Sequence, residues 1–128
     1  MNSFCCVIPV YNNAGTIHDV IRRTLLQTQH VLVIDDGSTD VNLEEYYRGS
    51  KEVEVIRHPV NQGKGAALMT ALHVLQERGT LYMLTLDGDG QHYPEDIPLF
   101  FPMIEKNDFT LAVGCRDFND PNVPQKSR

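Results

Sequence analysis

The chain switches repeatedly between two hydrophobic periods. Residues 4–10, Phe-Cys-Cys-Val-Ile-Pro-Val, form a continuous apolar run that predicts a fully buried strand ending at Tyr11-Asn12-Asn13. From Ile17 the period changes, and Ile17, Val20, Ile21, Thr24, Leu25 and Thr28 recur at helical spacing. Val31-Leu32-Val33-Ile34 predicts a second buried strand, cut off by Asp35-Asp36-Gly37-Ser38. Residues 41–48 read as a short polar helix and Val53-Glu54-Val55-Ile56 as a third strand. After a loop at residues 58–65, Leu68, Ala71, Leu72 and Leu75 mark a helix that closes at Gly79, a C′ glycine. Residues 81–86 predict a fourth strand, stopped by Asp87-Gly88-Asp89-Gly90. Pro94-Glu95-Asp96 suits the first turn of a helix that Pro102 kinks or ends, and residues 109–113 predict a fifth strand.

This alternation predicts an α/β fold, a mostly parallel twisted sheet with helices on both faces, Rossmann-like in character. Residues 1–116 form the folded unit in this reading. Residues 117–128, polar and carrying Pro121 and Pro124, read as a flexible tail.

Composition narrows the function classes. The chain has 128 residues, 41% of them hydrophobic and 22% charged, which suits one globular domain with a real core. With 11 Lys plus Arg against 17 Asp plus Glu, the net charge is −6, so no nucleic-acid partner is expected. No apolar stretch approaches the roughly 18 residues of a membrane span. The start, Met1-Asn2-Ser3-Phe4-Cys5-Cys6, lacks the basic region and cleavage site of a secretory signal. Three cysteines, two of them adjacent in an apolar run, argue for core packing in a reducing, cytoplasmic compartment rather than a disulfide framework. Cys115 and the apolar run at residues 97–104 read as core, the run alternatively as an interface.

Each unusual polar cluster follows a strand, and parallel strands bring their carboxyl ends to one edge, where open α/β sheets bind ligands. Asp87-Gly88-Asp89 offers two hard oxygen donors beside a glycine, suited to Mg²⁺ or Mn²⁺, with Gln91 a further neutral oxygen. Taken alone, this tripeptide is also a common turn. Asp35-Asp36 offer carboxylates to a ribose hydroxyl or a base N–H, or else cap the strand. Asn61-Gln62-Gly63-Lys64-Gly65 opens a helix with glycines and a cation, favourable to an anion, and alternatively is a plain turn. It matches neither a Walker loop nor a dinucleotide fingerprint, since residue 68 is leucine. His18, His30 and His73 show no spacing that implies a shared site.

Four segments together resemble family 2 glycosyltransferases of the GT-A fold. They are Val7-Ile8-Pro9-Val10-Tyr11-Asn12, Val33-Ile34-Asp35-Asp36-Gly37-Ser38-Thr39-Asp40, Asn61-Gln62-Gly63-Lys64-Gly65-Ala66-Ala67-Leu68 and Leu86-Asp87-Gly88-Asp89-Gly90-Gln91-His92. The resemblance is nearest to the dolichyl-phosphate-mannose and polyprenyl-phosphate-sugar synthases. It implies a nucleotide-diphosphate sugar donor, inverting transfer, and a lipid phosphate or glycan as acceptor. It implies that Pro9, Tyr11 and Asn13 (where the family often has Glu) line the base and ribose. It also implies that Asp35 and Asp36 meet the nucleotide, with Asp36 on the base, that Lys64 and Asp87 lie beside it, and that Asp87, Asp89 and Gln91 hold the metal. Members continue well beyond this length, so the chain is expected to be the donor and metal-binding part, with the acceptor half and any catalytic base outside it. The resemblance allows membrane association of the full-length protein at a cytoplasmic face, and a homo-oligomer. A non-catalytic nucleotide-sugar-binding module is the alternative, and a phospho-acceptor receiver domain, with Asp87 as acceptor, is a third reading that leaves the first strand unexplained.

Overall fold

The computed structural model describes residues 4–80, 82–89, 93–100 and 112–113. In chain order it contains β1 (Phe4–Val10), α1 (Ile17–Leu25), β2 (Val31–Asp36), α2 (Leu43–Tyr46), β3 (Val53–His58), α3 (Lys64–Glu77), β4 (Tyr82–Thr85), a 3₁₀ helix (Pro94–Phe100) and β5 (Ala112–Val113). The strands form one parallel sheet in the order β3-β2-β1-β4-β5. The chain therefore winds outward from β1 to β3 and then returns to the other side of β1. The crevice between the carboxyl ends of β1 and β4 is the switch point at which such sheets take ligands.

Alternation along the strands assigns each residue to one of two layers, as expected for helices on both faces. Cys6, Ile8 and Val10 of β1 join Val31 and Val33 of β2 against Ile17, Val20 and Ile21 of α1, together with Leu43 and Ile97. Cys5 and Val7 join Leu32 and Ile34 against Ala67, Ala71 and Leu75 of α3. Burial pushes the Cys5 thiol up to about 11, with Glu54 adding to the effect, so this cysteine is inert packing.

Several element boundaries differ from the sequence expectation. β2 does not stop at Ile34: Asp35 and Asp36 continue the ladder because Arg57 and His58 stand opposite them on β3, which is longer for the same reason. α1 ends at Leu25 rather than Thr28, and tightened bonds from the Leu26 and Gln27 amides to the Arg23 and Thr24 carbonyls close it. The expected helix over 41–48 contracts to Leu43–Tyr46, capped by the Asn42 side chain on the Glu45 amide at 3.1 Å. The segment after Pro94 is 3₁₀, with Pro98 inside it. Gly79 is the C′ residue: with φ +75° it lets the Thr80 amide reach the Leu75 carbonyl at 2.9 Å and its own amide reach Gln76 at 3.1 Å, a Schellman closure. Leu81, Gln91, His92, Pro102, Cys115 and residues 117–128 lie outside the described residues.

Candidate functional site

Proline in a central strand normally costs a ladder bond, and the site begins by showing why Pro9 is tolerated. The Val7 carbonyl accepts from the Leu86 amide at 3.0 Å, so Val7, and two residues on Pro9, face β4. β4 pairs with β1 only from Phe4 to Val7. Pro9 therefore lies past the last pair, at the mouth of the crevice, and no ladder bond is lost. Beyond it Asn12 takes the left-handed conformation, φ 55°, which asparagine tolerates. Its amide donates to Ser38 Oγ at 3.0 Å and its Oδ1 accepts from the Thr39 amide at 2.8 Å, tying the loops after β1 and β2 together.

The two acids closing β2 go to opposite faces because they are consecutive in a strand. Asp35 points to the α1 layer, fully buried, where it accepts from the Ser38 amide at 3.0 Å and from Arg57 at 3.1 Å. Asp36 points to the α3 layer and is 3% exposed. Its Oδ1 meets His58 Nδ1 at 2.8 Å and the Gln62 amide at 2.9 Å; its Oδ2 accepts from the Gly63 amide at 2.8 Å and Asn61 Nδ2 at 3.1 Å. Burial alone would raise this carboxyl, but the Gln62 amide, His58 and the Gly63 amide outweigh it and hold the group below its ordinary value. Gly37 brings the same loop closer still: at φ +79°, a Cβ there would sit 2.5 Å from the Asn61 nitrogen.

α3 starts directly from this clamp, with Gly63 as N-cap and Lys64 as its first residue. A cation at a helix start opposes the macrodipole, and the first turn holds no acid. The Lys64 ammonium instead reaches across the crevice to Asp87 Oδ1 at 2.5 Å. The Asp87–Asp89 turn is held from the β1 side: Thr16 Oγ1 donates to the Gly88 carbonyl at 2.6 Å. A Cβ on Gly88 would lie 3.2 Å from Asn13 Oδ1 and Val10 and 3.3 Å from Ile17, so a larger residue would need these side chains to give by a few tenths of an ångström.

These parts enclose a cleft of about 310 Å³. It is lined by Pro9, Tyr11 and Asn13 from β1 and its loop, Asp36 from β2, Lys64 from α3, and Asp87 and Asp89 after β4. Asp35 does not line it, and Gln91 lies outside the described residues. Asn61, which opens the Asn61-to-Gly65 cluster and carries no individual ligand role in the sequence reading, also lines the cleft. Thr16, His58 and Thr70 support it from behind and carry no local sequence signal, since each acts through a partner at least 12 positions away.

The donor chemistry fits a hard divalent cation. Among the described residues no three His, Cys, Asp or Glu side chains converge as a complete cage. Mg²⁺ is characteristically bound by one or two carboxylates plus substrate phosphates and water, and Asp87 and Asp89 are two carboxylates in the cleft lining. The Lys64 ammonium pairs with Asp87 at the same wall of the cleft.

Comparison with known proteins bears on the family and the fold. The UDP-N-acetylglucosamine–dolichyl-phosphate N-acetylglucosaminyltransferase of Methanococcus voltae is 31% identical over 132 aligned positions, covering 86% of this chain and 50% of that protein. The undecaprenyl-phosphate 4-deoxy-4-formamido-L-arabinose transferase of Salmonella choleraesuis is 39% identical over 103, covering 72% of this chain and 30% of that one. Among solved structures, S. aureus TarS in complex with UDP-GlcNAc superposes with a TM-score of 0.59 at 25% identity, covering 83% of this chain and 32% of TarS. The sheet and flanking helices match the GT-A fold of that protein. The chain spans about half or less of the length of these relatives. The family described as Glycosyl transferase family 2 matches residues 5–128, and the chain belongs to it.

Proposed function

We propose that this chain is the donor and metal-binding part of an inverting glycosyltransferase that uses a nucleotide-diphosphate sugar with Mg²⁺ or Mn²⁺. The observation that carries the reading is the meeting of Pro9, Tyr11, Asn13, Asp36, Lys64, Asp87 and Asp89, from four separate segments, around one cleft at the sheet's switch point. In this reading Tyr11 and Asn13 border the nucleoside, and Lys64 leaves Asp87 to meet the diphosphate. Asp87 and Asp89 would hold the cation, which would supply a positive charge against the departing diphosphate.

The acceptor class we favour is a lipid phosphate. Such a nucleophile arrives ionised and needs no protein base, whereas an alcohol would. The names of the dolichyl-phosphate and undecaprenyl-phosphate relatives support that choice. No helix among the described residues is long and apolar enough to cross a membrane.

Calorimetric titration with UDP, GDP and dTDP, each with Mg²⁺ and with Mn²⁺, tests the reading. A metal-dependent response to one of the three is expected, and Asp89→Ala should abolish the metal dependence. A folded sample that binds none of them with either metal would overturn it.

A further inference from the structure

Behind the cleft lies a buried polar chain that the donor-binding reading does not use. His58 closes β3 and Thr70 lies in the second turn of α3. The imidazole, 7% exposed, meets Asp36 Oδ1 through Nδ1 and Thr70 Oγ1 through Nε2, each at 2.8 Å. The carboxylate decides the direction of the first bond, and the charge of the ring that of the second. An ionised carboxylate only accepts, so Nδ1 carries the hydrogen and donates it to Asp36. A neutral ring then leaves Nε2 as acceptor for the Thr70 hydroxyl. This is the tautomer that free imidazole side chains favour less, so the surroundings select it.

The chain joins three elements. Asp36 is on β2, His58 on β3 and Thr70 on α3, and the first two are direct neighbours in register. Asp36 grips what precedes α3, through the Gln62 and Gly63 amides and the Asn61 side chain. Thr70 grips the helix one turn further on. α3 is thus tied at two heights to the ends of β2 and β3, and its first residue is the Lys64 that faces the cleft. An apolar side chain at position 58 would fill the same space but would leave Asp36 without its side-chain partner on that oxygen.

We propose that His58 is a positioning residue for the donor site: its Nδ1–H orients the Asp36 carboxylate, which fixes the Asn61–Gly63 loop and the placement of Lys64, and Thr70 locks the ring. The role rests on the nucleotide reading of the cleft, but the link itself is visible without ligand. In the ligand-free chain, ¹⁵N spectra should show a protonated Nδ1 for His58, with slow exchange of the Gln62 and Gly63 amides.

His58→Phe should speed that exchange and weaken the tightest nucleoside diphosphate of the calorimetric panel by about tenfold or more. His58→Asn, whose amide N–H stands near the position of Nδ1–H, should recover affinity to within about threefold of wild type. Thr70→Val should shift the Nε2 resonance and weaken binding by about threefold, and it carries the test if His58→Phe does not fold. An Nε2–H tautomer in the wild type would overturn the proposal. So would a folded His58→Phe, or a Thr70→Val chain, with unaltered affinity and unaltered Gln62 and Gly63 exchange. Absence of nucleotide binding by the wild type would instead overturn the reading of the cleft, and with it the role, while tautomer and exchange would still report the link.

Discussion

Two acidic pairs mark the binding edge, and they behave in opposite ways. Asp35 and Asp36 end a strand, are buried, and are filled by internal donors on opposite faces of the sheet. Asp87 and Asp89 follow a strand in a turn; Asp87 meets a half-exposed lysine and Asp89 is exposed. A carboxylate offers about four lone-pair positions. Where the protein fills them, as at Asp36, the group holds the architecture together. At Asp87 one contact is a half-exposed lysine, a partner more readily displaced than a buried backbone amide.

The sharpest way to break the comparison is to remove one acid from each pair. Asp36→Ala leaves His58, Asn61 and the Gln62 and Gly63 amides without their acceptor, and should lower unfolding free energy by about 3 kcal/mol in urea titrations. Asp87→Ala should cost about 1 kcal/mol or less, yet remove metal-dependent nucleotide binding. Equal losses of stability would erase the distinction. Gly37→Ala comes next, at about 2 kcal/mol, because the positive φ and the approach of the Asn61 and Val60 backbone both oppose a Cβ.

Acid sharpens the same contrast. The Asp36 carboxyl is depressed on folding below its ordinary 3.8, so its stabilisation is complete above that value and is lost as pH falls through the folded one. Urea midpoints taken from about pH 5 down to about pH 2 should fall for the wild type and fall less for Asp36→Asn. The smallest effect on stability belongs to Lys64→Ala, within about 0.5 kcal/mol because the ammonium is half exposed. Its signature lies in calorimetry instead, as a loss of about tenfold in nucleoside diphosphate affinity.

Much of this was legible along the chain. The bounds of β1, the α1 stripe and the role of Gly79 follow from local pattern, and the polar clusters lie at the edge that parallel strands imply. Two of the misreadings share one cause. Asp35 and Asp36 look like a strand terminator when read with Gly37 and Ser38, because the residues that extend the ladder through them, Arg57 and His58, lie 22 positions away. His18 showed no partner for the same reason: its ring bonds Tyr47 Oη at 2.7 Å, 29 positions away.

Periodicity, turn chemistry and charge are properties of neighbouring residues, and they sufficed for the strand order in the chain, the two helical layers and the acids at one edge. Which acid is clamped by backbone amides and which meets a half-exposed lysine depends on register between β2 and β3 and on where α3 begins. Those are set by packing across the sheet, which no local pattern contains. Asp36 became a clamp and Asp87 a cleft group because of what tertiary structure placed within 3 Å of each.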